Sequence, residues 1–224
     1  MDLYDVMRTT FAARDFTDRA IDDDAVHRIL ENARFAPSGG NRQGWKVIVV
    51  RDASTRESLK EILRPGMQRY FAQVQAGEAP WNTIHPSTLS QAEIDAVDVP
   101  DSMLEVFTRA PVLLFVFVDL AVVASFDRDL DRVGVVSGGS IYPFVWNILL
   151  AARNEGLGGT ITTWAAVKEP ELQALLGTPS HFAFAAMVLL GEPVKQLTRL
   201  KRKPVEQFAA LEHFDGAPLR RSDD

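Results

Sequence analysis

The sequence predicts one layered unit in which helices alternate with strands. Three observations carry this. Helix-periodic and β-branched segments alternate along the chain, one strand segment is apolar on both faces, and no repeat, low-complexity tract or linker divides the 224 residues. The length falls between one large domain and two small ones on the usual ~100–200 residues per domain, and it is read here as one.

The first strong signal is Asp22-Asp23-Asp24 followed by Val26, Ile29, Leu30 and Ala33, an apolar stripe at helical spacing with acids placed to cap it. Pro37 stops that helix. Residues 46–50 (KVIVV) form a short β-branched run and predict a buried strand. A helix is expected to begin near Ser54 and to end before Pro65. Residues 66–109 turn polar and proline-rich, with scattered aromatics such as Tyr70, Phe71 and Trp81, and predict an inserted, lid-like segment holding one or two short helices. Residues 111–118 (PVLLFVFV) are apolar throughout, the mark of a strand covered on both sides. Ile141, Phe144, Val145, Ile148, Leu149 and Ala152 make a core-facing helix stripe, with Gly156 and Gly158 as its C-cap candidates. Residues 159–164 and 184–190 predict strands, 169–176 a helix, and about 204–211 a last helix in a basic tail.

Composition removes several functions. There is no cysteine, so disulfides, thiolate metal sites and a cysteine nucleophile are excluded. Lys and Arg number 24 against 30 Asp and Glu, a net charge of −6, which argues against holding nucleic acid or an anionic membrane by charge. The acidic N-terminus is unlike a signal peptide, and the longest apolar run, broken by Asp119, is short of a membrane span, so a cytoplasmic protein is expected. Asp127, Asp129 and Asp131 start like a calcium loop, but Arg132 and Gly138 occupy its glycine and glutamate positions, and a solvated helix face is expected instead. Residues 156–159 (GLGG) lack the third glycine of a dinucleotide turn and follow a helix rather than a strand. His27, His85, His181 and His213 are too scattered for a metal site or a triad, so no metal ligand and no catalytic side chain is assigned.

Three polar segments remain. Arg8 and Arg14 flank small hydroxyl residues, and arginine is well suited to phosphate because its planar fork donates two parallel hydrogen bonds. Ser38, Gly39, Gly40 and Asn41 would let backbone approach a flat ligand while an amide offers both donor and acceptor, although a plain helix-to-strand turn explains the glycines equally well. Arg199, Lys201, Arg202 and Lys203 cluster on an acidic protein.

The order of these parts resembles the FMN-dependent nitroreductase family. It has an N-terminal Arg-x-Phe (Arg14-Asp15-Phe16), then Ala-Pro-Ser-Gly-x-Asn-x-Gln-x-Trp (36–45), a helix ending Ala-Ala-x-x-x-Gly-Leu-Gly (151–158), and Leu-Gly-x-Pro (190–193) before Arg-Lys-Pro (202–204). The resemblance implies an α+β fold whose mixed central sheet is covered by helices, in an intertwined homodimer with FMN at the interface. It implies that Arg14 and Arg202 hold the FMN phosphate, with Thr10, Phe11 and Ala12 in the same loop. Pro37, Ser38, Gly39 and Asn41 would pack on the isoalloxazine ring from the other subunit, and Thr162 and Thr163 would face its edge near N5. Where the family commonly reads Arg-Arg-Ser or His-Arg-Ser this chain has Thr10-Phe11-Ala12, which leaves Arg8, Arg199 and Lys201 as further basic groups. The implied activity is ping-pong hydride transfer from NADH or NADPH through FMN to a nitroaromatic or quinone acceptor. The alternatives are dehalogenase-like or flavin-destroying chemistry, or a non-catalytic sensory role.

Overall fold

The computed structural model describes residues 1–221. It opens with a helix that the sequence pattern does not announce, α1 (Leu3–Thr9), whose seven residues bury only Val6 and so carry no apolar period. Its N-terminus is fixed by the Asp2 carboxylate, which accepts from the Tyr4 amide at 2.9 Å. Helix α2 (Asp23–Ala33) follows as expected, capped by Asp22 accepting from the Ala25 amide at 2.7 Å, with Val26, Ile29 and Ala33 buried.

Strand β1 (Trp45–Val49) leads into α3 (Ala53–Gln75), which does not end before Pro65 but runs ten residues beyond it. A proline inside a helix removes one hydrogen bond and costs ~3 kcal/mol. Packing offsets that cost, because Leu59, Leu63 and Met67 on either side of Pro65 are buried in one core cluster. Gly66 shows how close this packing is. A Cβ there would stand 2.5 Å from the Trp164 carbonyl oxygen. In an open helix Gly→Ala stabilises by about 1 kcal/mol; here we expect Gly66→Ala to lower the midpoint of thermal or denaturant unfolding, by about 1–3 kcal/mol of overpacking.

Two short helices, α4 (Gln91–Asp95) and α5 (Asp101–Thr108), precede β2 (Val112–Asp119). Every residue of β2 from Val112 to Val118 is buried, and the strand's period of two divides them. Val112, Leu114, Val116 and Val118 join one core with Ile29 and Ala33 of α2 and Phe144 and Ile148 of α6 (Tyr142–Asn154). Leu113, Phe115 and Phe117 join the other, with Leu59 and Leu63 of α3, Leu104 of α5 and Leu172 of α7 (Glu169–Leu176). The doubly apolar segment is thus the central strand of a sheet covered by helices on both faces.

With β3 (Gly158–Thr162) and β4 (Phe182–Gly191) the sheet has the order β1-β2-β4-β3, and neighbouring strands are antiparallel. The α/β alternation of the sequence therefore resolves as α+β, because β4, last in the chain, inserts between β2 and β3. Those two run the same way, joined by α6, without touching. Among the described residues the parallel character of the implied mixed sheet is confined to a bridge from Ala12 to Gly159. The expected helix at 204–211 is one 3-10 turn, Val205–Gln207, since no core faces it.

Candidate functional site

The edge strand β3 is where the polar segments meet. The Ala13 amide donates to the Gly159 carbonyl oxygen at 3.0 Å, so Gly159 faces the open side of the sheet. By the alternation of a strand, Ile161 turns its N–H and C=O to the same side, where among the described residues no further strand pairs. Gly159 admits no side chain, because a Cβ would lie 2.4 Å from the Leu189 carbonyl oxygen.

At the start of this edge sits the loop with Thr10, Phe11, Ala12 and Arg14. Its backbone is tied down by Thr17 N–H donating to Glu192 O at 2.8 Å and Val194 N–H to Asp15 O at 3.1 Å. The Thr10 side chain is buried and its hydroxyl donates to the Val6 carbonyl oxygen at 2.7 Å, so its side chain serves α1 and only backbone remains for a ligand. Arg14 is exposed and makes no ion pair among the described residues, whereas Arg19, Arg51 and Arg109 nearby are each held by a carboxylate. Arg202 lies in the exposed tail, with its guanidinium donating to the Lys201 carbonyl oxygen, and the chain does not bond it to the Arg14 loop.

The loop before β1 is strained. Gly40, Asn41 and Gln43 all have positive φ, of 61°, 53° and 51°. L-residues hold that conformation only when their surroundings impose it, and such strain gathers at functional sites. Here Ser38 Oγ accepts from the Gln43 amide at 2.9 Å, Ser38 O accepts from the Asn41 amide at 2.8 Å, and the Gly39 amide donates to Ser140 Oγ at 3.1 Å. The result presents Pro37, Gly39, Gly40 and Asn41 to the outside. Trp45, by contrast, stacks on Phe144 at 4.7 Å and belongs to the core. Trp45 pairs with Val118, Val118 with Ala183, and Thr162 with Met187. The loop and the end of β3 therefore lie on opposite edge strands, about 14 Å apart across the sheet at ~4.8 Å per strand and offset by a further three residues, about 10 Å, along it.

Beyond β3, Thr163 opens a 3-10 turn, Trp164–Lys168, beside a cavity of about 670 Å³. Trp81, Tyr142, Thr163, Trp164 and Phe184 are among its walls. A bulge in β4 shapes it. Val116 pairs with Ala186 but Phe117 with Phe184, which leaves Ala185 over, its carbonyl oxygen accepting from the Tyr142 hydroxyl at 3.3 Å. Trp81 arrives from the loop after α3, which is fastened by Glu78: its carboxylate accepts from Ser87 Oγ at 2.6 Å, from the Thr88 amide and hydroxyl at 2.8 Å, and from Gln73 Nε2 at 3.2 Å. Those bonds hold the Glu78 carboxyl down to about 2, from an ordinary 4.5, with Ser87 the largest cause. A depressed carboxylate stabilises above its unfolded value and loses that stabilisation as pH falls through the folded one. We therefore expect proteolytic nicking of the loop at 77–88 to stay constant from neutral pH to about 5 and to rise below about 4.

The sequence did not point to this cavity, since its aromatic walls are spread over more than a hundred positions. Asp127, expected on a solvated helix face, is instead buried and accepts from Arg132, Ser125 and the Val135 and Val136 amides. It pins the segment leading to Tyr142, and the Val135 amide is the main cause holding its carboxyl well below the usual range.

An open edge strand with an arginine at its start that makes no ion pair among the described residues, and an aromatic cavity at its end, is the candidate small-molecule site of this antiparallel α+β sheet. The Nitroreductase family model matches residues 7–192, and the chain belongs to that family. It is 26% identical to nitrobenzene nitroreductase of Ectopseudomonas oleovorans over 93% of this chain and 96% of that one. It is 24% identical to iodotyrosine deiodinase 1 of Pongo abelii over 94% of this chain and 68% of the relative. A solved nitroreductase with bound FMN from Desulfitobacterium hafniense shares the fold, with a TM-score of 0.59 and 21% identity, covering 91% of this chain and 95% of the other.

Proposed function

We propose that the chain is an FMN-dependent oxidoreductase that works as a homodimer, accepting hydride from NADH or NADPH and passing it to an electron-poor nitroaromatic or quinone by a ping-pong cycle. The observation that carries this reading is the β3 edge itself. From Gly159 to Thr163 it spans about 13 Å, four residues at ~3.3 Å, a length suited to a ligand with a phosphate at one end and a flat ring at the other. The flavin, when bound, supplies the two-electron chemistry.

The chain's own residues divide the remaining work. Arg14 gives the phosphate a two-pronged donor, and Arg202, with Lys201 and Arg199, adds charge from the tail. The Thr10-Phe11-Ala12 stretch contributes backbone, since the Thr10 hydroxyl is already spent. Thr162 and Thr163 bring the strand end to the ring edge, and Pro37, Ser38, Gly39 and Asn41 of a second copy cover the ring's face. Among the described residues, tail residues 198–221 hydrogen-bond only to one another, while Phe208 and Phe214 stand in solvent. That supports an exchanged segment, one that finds its partner surface on the other subunit. The Tyr142 hydroxyl donates to the Ala185 carbonyl oxygen, so its proton is engaged by the sheet.

The test is anaerobic. FMN-loaded protein should lose its visible flavin absorbance on adding NADPH or NADH and regain it on adding nitrobenzene or a quinone. A protein that stays colourless in excess FMN would overturn the proposal.

A further inference from the structure

The cavity beside Thr163 carries a statement about its substrate, one that rests on the flavin reading above. Trp81, Thr83, Tyr142, Thr163, Trp164 and Phe184 are among its walls, and none of the residues lining it is charged. At about 670 Å³ it lies in the ~300–1,000 Å³ range of small-molecule sites. An ammonium or carboxylate brought against these walls would lose water and meet no charged lining residue to offset that loss, whereas a flat neutral ring would gain contact on several sides.

Trp81 is the wall supplied by the segment that the sequence marked as an insertion. It stands at φ 55°, a conformation L-residues adopt only under constraint, and the constraints are visible. Its amide donates to Gln73 Oε1 at 3.1 Å, Gln73 is in turn tied to the Glu78 carboxylate, and the Arg69 guanidinium lies 4.4 Å from the centre of the indole. That cation occupies a face of the indole and holds the ring in place. Among the described residues, three of the four non-glycine residues with positive φ, Asn41, Gln43 and Trp81, thus fall in the two loops of the candidate site.

We infer that Trp81 is a specificity-determining residue, a fixed aromatic wall that selects acceptors which are flat and uncharged, and that discriminates against aromatic amino-acid zwitterions. The chain would then differ in substrate class from a relative whose name is iodotyrosine deiodinase.

Nitrobenzene and 4-nitrophenylalanine offer the same reducible ring with and without the zwitterion. With FMN-loaded wild-type protein and NADPH, kcat/KM should favour nitrobenzene by at least about tenfold. Trp81→Ala should lower kcat/KM for nitrobenzene about tenfold and leave that for 4-nitrophenylalanine nearly unchanged, so the preference collapses. Trp81→Phe should keep most of it. Trp81 is 40% exposed, so melting temperature and FMN stoichiometry should be unaltered in both variants. Equal use of the two substrates by the wild type, or an unchanged ratio in Trp81→Ala, overturns the inference while the flavin reading stands. A protein that binds no FMN, or is not bleached by NADPH, sinks the flavin reading and this inference with it.

Discussion

Replacing Arg14 by alanine is expected to strip the protein of its flavin and leave its fold intact. The loop is held by backbone bonds from Ala13 to Gly159, Thr17 to Glu192 and Val194 to Asp15, and among the described residues the guanidinium hydrogen-bonds only to the Ala12 carbonyl oxygen, at 3.5 Å. An unpaired arginine facing a phosphate makes charge-assisted bonds worth ~1.5–3 kcal/mol each, which corresponds to a rise in the FMN dissociation constant of roughly 10- to 100-fold or more. Arg14→Lys keeps the charge but loses the planar fork, so it should fall between the two. Fluorescence titration with FMN, beside a melting curve, reads both quantities. An unchanged dissociation constant would show that the phosphate lies elsewhere.

Removing everything after Leu197 should produce a folded monomer without flavin. Gln196 still anchors the end of the body by donating to the Thr9 carbonyl oxygen at 3.0 Å, and both core clusters lie wholly before that point. What the truncation removes is Arg199, Lys201 and Arg202 together with the exposed apolar side chains of the tail, including Phe208, 70% exposed in the isolated chain. Apolar side chains left in water along a segment that, among the described residues, makes no hydrogen bond to its own body are most simply explained by burial on a second subunit. Sedimentation of the truncated and full-length proteins gives the answer, and a truncated dimer that retains FMN would refute the assignment.

The parts legible in the sequence were those whose signal is local and repeated. Helix α7 spans the predicted residues 169–176, β2 was marked by an unbroken apolar run, and α6 by a stripe about three turns long. Helix α3 beyond Pro65 was not legible, because the proline is a local cue and the contact of Gly66 with Trp164 that outweighs it joins positions nearly a hundred residues apart. Strand order was hidden for the same reason, since nothing in the segment 182–191 says that it slips between β2 and β3. At the candidate site, the small and amide residues of the loop 37–43 fitted a ligand loop and a plain turn equally, and the positive φ angles of Gly40, Asn41 and Gln43 are compatible with both. The aromatic cavity was not visible, because it depends on a bulge at Ala185 and on the hub at Glu78, neither of which leaves a pattern in sequence.

The central claim is that one chain builds a core but only half of each flavin site, with Arg14 from one subunit and the loop 37–41 from the other. Mixed dimers test it directly. Arg14→Ala protein and Gly39→Val protein, each without bound flavin, are dissociated together in equal amounts and allowed to reassociate. If the site is shared between chains, half of the dimers carry one fully wild-type site, and FMN binding and NADPH-driven turnover return to about a quarter of the wild-type level. If Arg14 and the loop serve the same site within one chain, every site keeps a defect and the mixture stays as inactive as its components, which would contradict the account.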